Sequence, residues 1–261
     1  MRLDRLMFER GLVRSRSRAQ ALIMAGKVFV DGKRIEKAGQ DIGETSQIEI
    51  KGSDQPYVSR GGIKLEAALR DFAIQCKGKT ALDIGASTGG FTDCLLQHGA
   101  SRVYALDVGF GQLDWKLRQD DRVICLERTN IRYLDPEKIP ESIDIVSIDC
   151  SFISLKLVLK GILPILSEGT RIISLIKPQF EVEKGEVGKG GVIRDSRKHD
   201  RVLREICHFA AGLGFEIHGL IPSPIKGPKG NREFLFYLIN EKSGSGIDWE
   251  EAILKSLQEK D

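Results

Sequence analysis

No C-x-x-C pair joins any two of the five cysteines, Cys76, Cys94, Cys125, Cys150 and Cys207, and none of the four histidines is spaced to complete a zinc set. A zinc module and a disulfide framework are therefore excluded, and no metal is expected. The cysteines read as small buried hydrophobes in a reducing compartment. Long apolar runs are also missing: the longest apolar region, 155–166, is broken by Lys156, Lys160 and Pro164. The opening MRLDRLMFERGL carries charge throughout, with no visible targeting signal. These absences predict a soluble cytoplasmic protein that does not engage a membrane. Internal repeats are absent as well. So is the [DN]-P-P-[FY] motif of enzymes that methylate base amino groups; the corresponding stretch is Asp149-Cys-Ser-Phe152.

A chain of 261 residues suffices for one full α/β domain and a small module, at about 100 to 200 residues per domain. Its charge is unevenly placed. Residues 1–60 hold 12 Lys/Arg against 8 Asp/Glu, whereas the remainder holds 28 against 29. The first quarter is thus the part suited to a polyanion.

Within it, Leu3, Leu6 and Met7 recur at helical spacing, and Ser15 or Ser17 precedes a second helix with Ala19, Leu22 and Ile23 on its apolar face. KVFVDGKRI then alternates around Asp31-Gly32, a hairpin signal. Arg14, Arg16 and Arg18 crowd the start of the second helix, the end whose dipole favours anions. Three cations there suit an external phosphate, with a merely solvated helix start as the alternative. KGSDQPY at 51–57 loses periodicity and reads as a linker. The expected domains are 1–58 and 59–241. The tail 242–261 has a flexible joint at Ser243-Gly-Ser-Gly246 and a short last helix capped by Asp248.

From Ile63 a helical stripe (Leu65, Ala68, Leu69, Phe72) precedes strands at 80–84, 102–106, 123–126 and 143–148. A helix at 155–166, a strand at 171–176, a helix at 200–213 and strands at 216–220 and 233–239 follow. Alternation of this kind is the signature of a doubly wound α/β sheet. Its entry is ALDIGASTGGFTD, residues 81–93, where an apolar run ends in Asp83 and breaks into a glycine-rich turn. Gly85, Gly89 and Gly90 allow sharp turning and close approach of a ligand to main-chain N–H groups. The turn is neither the dinucleotide fingerprint nor the P-loop, which need G-x-G-x-x-G and G-K-[ST]. It resembles motif I of S-adenosylmethionine (SAM) methyltransferases, whose cofactor has a cationic amino-acid tail and no phosphate.

Ligands of such sheets sit beyond the carboxyl ends of the strands. Four ionisable residues fall there: Lys64 before the first strand, Asp149 ending the fourth, Lys177 ending the fifth and Glu233 opening the last. Two cations and two anions balance, which makes a partly desolvated cluster tolerable. Singly, each is also readable as a solvated strand-end charge.

YVSRGGIKL, ALDIGASTGGFTD, DVGFGQLDWKLRQDDRV, LERTN, IDCSFISL, IKPQFEVEKGEVGKGG and GPKGNREF together resemble the haemolysin-A (TlyA) family of rRNA methyltransferases. That family belongs to the FtsJ-like ribose 2′-O-methyltransferases. RLDRLMFERGLVRSRSRAQALIMAGKVFVDGKRI likewise resembles the S4 RNA-binding module. The resemblance implies an S4-type α+β domain, a Rossmann-like SAM-dependent methyltransferase sheet and a Lys-Asp-Lys-Glu tetrad on Lys64, Asp149, Lys177 and Glu233. The one departure noted from the wider group is Thr88, where many members have Pro.

The implied cofactor contacts are Asp83, Gly85, Ser87, Thr88 and Gly89 around the methionine part, Asp107 on the adenosine ribose and Asn130 on the adenine. Asn130 is equally readable as a turn asparagine. Arg2, Arg5, Arg14, Arg16, Arg18 and Arg60 are the RNA-binding candidates, with ribosomal RNA or a ribosomal subunit as partner and a monomer as the working form. Two divisions of labour are open: Lys177 takes the ribose proton, or both lysines stay charged and stabilise the developing alkoxide. Gly185 to Gly191, with Lys184 and Lys189, reads as a lid or a passive loop. Cys150 reads as a buried strand-end cysteine rather than a nucleophile. The rival functions are an RNA-binding ribosome-assembly factor without turnover and a haemolysin.

Overall fold

The computed structural model describes residues 1–13, 15–51, 56–183, 185–227 and 229–259, with the side chain of Lys189 left out. Of the expected linker, 52–55 lie outside the described residues. Two compact units divide the chain at Met1–Asp54 and Gln55–Asp261.

The first unit has helices α1 (Leu3–Glu9) and α2 (Arg16–Met24) and strands β1 (Val28–Val30), β2 (Lys33–Arg34) and β3 (Ile48–Ile50), in sheet order β2-β1-β3. Ser15, not Ser17, caps α2: its Oγ accepts from the Arg18 N–H at 3.1 Å. Asp31 and Gly32 both take positive φ, 47° and 78°, and pair Val30 with Lys33, the two-residue hairpin its sequence signals. Leu3, Met7, Ala19, Leu22, Ile23 and Val28 form the core. β3 is too short for its alternation to be legible in sequence.

The second unit begins with α3 (Gly61–Asp71), β4 (Thr80–Ile84), α4 (Gly90–Gln97), β5 (Arg102–Leu106), α5 (Trp115–Arg118), β6 (Val123–Leu126) and β7 (Ile143–Ile148). It continues with α6 (Leu155–Ile162), β8 (Leu166–Ile176), α7 (Pro178–Glu181), α8 (Ser196–Gly212), β9 (Glu216–Pro222), β10 (Phe234–Ile239) and α9 (Trp249–Gln258). The sheet order is β6-β5-β4-β7-β8-β10-β9, with β4 to β8 parallel and β10 antiparallel to both neighbours. Strand order therefore reverses between β4 and β7, the place where such sheets open a crevice.

Alternation along the strands sends Leu82, Ile84, Val146 and Ile148 to a core shared with α6, α8 and α9. Ala81, Val103, Ile145 and Ile173 face the other core, under α3 and α4. Burial on both faces is why these strands read as near-continuous apolar runs.

Where element boundaries differ from those expected, two have a clear local cause. The helix expected at 155–166 stops at Ile162, because Pro164 lies in a 3-10 turn and Leu166 already enters β8. α8 starts earlier than expected, at Ser196, because Asp195 caps it. Asp248 caps α9 as expected, accepting from Glu250 and Glu251 N–H, and Glu250 and Glu251 in the first turn suit the helix dipole. Among the described residues no helix is long and apolar enough to cross a membrane.

Candidate active site

The turn after β4 needs its glycines. Gly85 has φ +82°, and a Cβ there would stand 2.9 Å from the Asp149 carbonyl oxygen. Gly89 has φ +95° and caps α4 in the left-handed region, while a Cβ on Gly90 would strike Ser59 Oγ. Ser87, at φ +49°, takes the same region without being glycine, and its N–H donates to Asp107 Oδ2 at 2.8 Å. Strain of this sort collects at ligand sites.

This turn opens onto a cavity of about 850 Å³, within the range of small-molecule sites. All four members of the expected tetrad line it. They form two ion pairs. Lys64 Nζ stands 2.5 Å from Glu233 Oε2, and Lys177 Nζ stands 2.5 Å from Asp149 Oδ1 and donates to Ser151 Oγ at 3.0 Å. The pairs differ in exposure: the Lys64 and Glu233 side chains are 7% and 1% exposed, whereas Asp149 retains 23%. Glu233 Oε1 also accepts from Gln179 Nε2 at 3.5 Å, and a side chain on Gly227 would strike it.

Gly85, Ser87 and Thr88 also line the cavity, and Arg60 lies on its wall, donating to the Lys226 carbonyl at 2.6 Å. Four expected cofactor residues are not among its lining residues: Gly89, which caps α4, and Asp83, Asp107 and Asn130. Asp83 is fully buried and turned inward, with Thr92 Oγ1 and Ser147 Oγ donating to its two oxygens at 2.7 and 2.9 Å. Asp107 accepts from Ser87 N–H and from Gly109 N–H at 2.7 Å, so it shapes the turns after β4 and β5. Asn130 caps a 3-10 turn, Oδ1 accepting from Arg132 N–H at 3.0 Å, the ordinary turn role.

Burial pushes the Asp83 carboxyl up to about 6, against the opposing hydrogen bonds of Thr92 and Ser147. The folded chain then binds this proton where the unfolded chain has released it. The resulting stabilisation is complete below about pH 4 and is lost as pH rises through about 6. From pH 5 to 7.5 the loss is on the order of 1 kcal/mol. Asp83→Asn is expected to flatten that stretch of the stability profile in urea titrations; an unchanged slope would show that Asp83 is not its source.

Several lining residues escaped the sequence reading although their motifs were noticed. Phe152 takes φ +64°, is 91% exposed and packs on Phe180 with centroids 5.0 Å apart. Asn231 ties the expected lid to β10: its Oδ1 accepts from Ile193 N–H and its Nδ2 donates to the Gly191 carbonyl, at 2.9 and 2.8 Å. Lys184 lies outside the described residues, as does the Lys189 side chain. Cys150 is largely buried, and desolvation pushes its thiol up to about 12, which fits a structural residue.

In the first unit, Asp4 is fully buried and draws in two of the arginines. Its oxygens accept from Arg2 Nε at 3.0 Å, Arg16 Nη2 at 3.2 Å and Gln20 Nε2 at 2.8 Å. Arg5 pairs with Glu9 one turn on. Arg18 is exposed, and Arg14 lies outside the described residues.

Two family models match the chain: FtsJ-like methyltransferase over 57–239 and S4 domain over 1–48. A candidate rRNA methyltransferase of Bacillus subtilis, YqxC, is 48% identical, the match covering 91% of this chain and 85% of that protein. The 16S/23S rRNA (cytidine-2′-O)-methyltransferase TlyA of Mycobacterium tuberculosis is 44% identical over 99% of this chain and 97% of its own. The solved structure of a candidate hemolysin from Streptococcus thermophilus matches with a TM-score of 0.77 at 43% identity, covering 98% of this chain and 94% of that one. The glycine cradle, the paired charges and these matches agree: the chain belongs to the TlyA family of FtsJ-like, SAM-dependent methyltransferases that carry an S4 domain.

Proposed function

We propose that the chain methylates the ribose 2′-hydroxyl of a cytidine in ribosomal RNA, acting as a cytoplasmic monomer on a ribosomal subunit. The observation that carries this reading is the opening of both Lys–carboxylate pairs and the glycine turn onto one cavity. A ribose hydroxyl is a poor nucleophile, so the protein must orient it and receive its proton as attack proceeds. SAM, when bound, supplies an electrophilic methyl carbon on a sulfonium.

Gly85, Ser87 and Thr88 hold the methionine part, with Asp107 and Asp83 keeping their turn in shape. Lys177 enters the step as a neutral amine, its ammonium proton having first passed to bulk water, and takes the hydroxyl proton as the new O–C bond forms and the S–C bond breaks. Asp149 stabilises the ammonium that results, and Ser151 fixes its direction. Lys64, locked by Glu233, orients the ribose oxygen. Exposed Phe152, packed on half-buried Phe180 at the cavity wall, offers an apolar face suited to a nucleobase.

Arg2, Arg16 and Arg18 meet RNA phosphate, the first two preset by Asp4. Arg18→Ala is therefore expected to weaken rRNA binding and to reduce the slope of log affinity against log salt by about 1. An unchanged slope would remove Arg18 from the interface. Incubating the protein with labelled SAM and separate 30S and 50S subunits tests the whole reading: label is expected in the RNA of at least one. A protein that binds both and labels neither would be an assembly factor instead.

A further inference from the structure

We propose that Glu181, which the steps above do not use, is a positioning residue that holds the Asp149–Lys177 pair in register for methyl transfer. The proposal rests on the ribose-methylation reading of this site. Glu181 closes α7, four residues beyond Lys177. Its carboxylate leaves its own element and reaches the start of α6, where Oε2 accepts from Ser154 Oγ at 2.6 Å and Oε1 accepts from Leu155 N–H at 2.7 Å.

The segment from Asp149 to Leu155 is thereby held at both ends by one short stretch, 177–181. Lys177 grips Asp149 and Ser151 at one end, and Glu181 grips Ser154 and Leu155 at the other. Between the two grips stands Phe152 at φ +64°. A non-glycine residue persists in that conformation only where its surroundings over-determine it.

Helix capping accounts for only part of Glu181, whose Oε1 takes the first N–H of α6. Ser154 already caps α6, its Oγ accepting from Lys156 N–H at 3.2 Å. Glu181 is moreover partly buried, and that desolvation raises its carboxyl above the ordinary carboxylate range despite the two donors. A charge kept there against its solvation preference adds a cross-tie between the β7 and β8 strand ends beyond the cap.

The test compares Glu181→Ala and Glu181→Gln with the wild-type chain. Amide hydrogen exchange at 150–155 reads the tie without turnover, and is expected to quicken at least about ten-fold in Glu181→Ala while the rest of the sheet keeps its protection. At saturating SAM and rRNA, kcat is expected to fall at least about ten-fold, with the Kd for SAM and the KM for rRNA within about two-fold. Glu181→Gln retains one acceptor oxygen and should be intermediate; it also serves as the test if the alanine variant does not fold. Unchanged exchange, a kcat within two-fold of wild type, or SAM affinity falling in step with kcat would each overturn the proposal. If the wild-type chain methylates something other than ribose, the functional reading fails, while exchange and the kcat-against-KM split still decide the role of Glu181.

Discussion

Lys177→Ala is expected to abolish methyl transfer, by about 10³-fold or more, while SAM binds with a Kd close to that of the wild-type chain. A positioned proton acceptor contributes roughly 10² to 10⁴ in rate, and Lys177 stands 2.5 Å from Asp149 in this cavity. The fold should survive the change. Asp149 keeps 23% of its side chain in solvent, and although its Oδ1 is buried, removing the lysine side chain opens that oxygen to the cavity, so water can reach the carboxylate left behind. A labelled-SAM assay beside calorimetric SAM titration separates the two effects. Activity retained in Lys177→Ala would refute the assignment, and with it any role of Lys177 in stabilising the alkoxide.

Lys64→Ala should behave differently, because its partner is sealed in. The Glu233 side chain is 1% exposed, and among the described residues its Oε1 accepts a 3.5 Å hydrogen bond from Gln179. Removing one member of a buried pair leaves an uncompensated charge and costs about 3 to 5 kcal/mol. Lys64→Ala is therefore expected to lower both stability and turnover. Replacing the two together, Lys64→Met with Glu233→Leu, should restore most of the stability and none of the turnover, since an apolar pair of similar volume replaces the charges without orienting a ribose. Urea denaturation of the wild type and the two variants checks this. Equal stability of Lys64→Ala and wild type would show that Glu233 finds water or a proton, and that the pair is not closed to solvent.

Much of the fold was legible because both-face burial writes itself as apolar runs and because Asp31-Gly32 and the helix caps have local chemistry. Pro164 was noticed as a break in an apolar region, but not as the end of a helix whose next residues become a strand. The tetrad was legible by position, since strand ends converge whatever their separation in sequence. Direction was not. Asp83 lies one residue before the end of β4, yet its side chain turns to Thr92 and Ser147, and nothing in ALDIGASTGGFTD states which way an acid turns. Asn130 likewise has a local partner that competes with any ligand. Glu181 and Asn231 were invisible for a different reason: each works through hydrogen bonds to main chain 26 and 40 residues away, and main-chain acceptors and donors carry no sequence signature.

The central claim is the identity of the acceptor atom. Ribosomal RNA treated with the protein and labelled SAM, digested to nucleosides and resolved by mass spectrometry, measures it most directly. The label is expected in 2′-O-methylcytidine, with the methyl group retained on the ribose after glycosidic cleavage. Label on a cytosine or other base with an unmodified ribose would contradict the account.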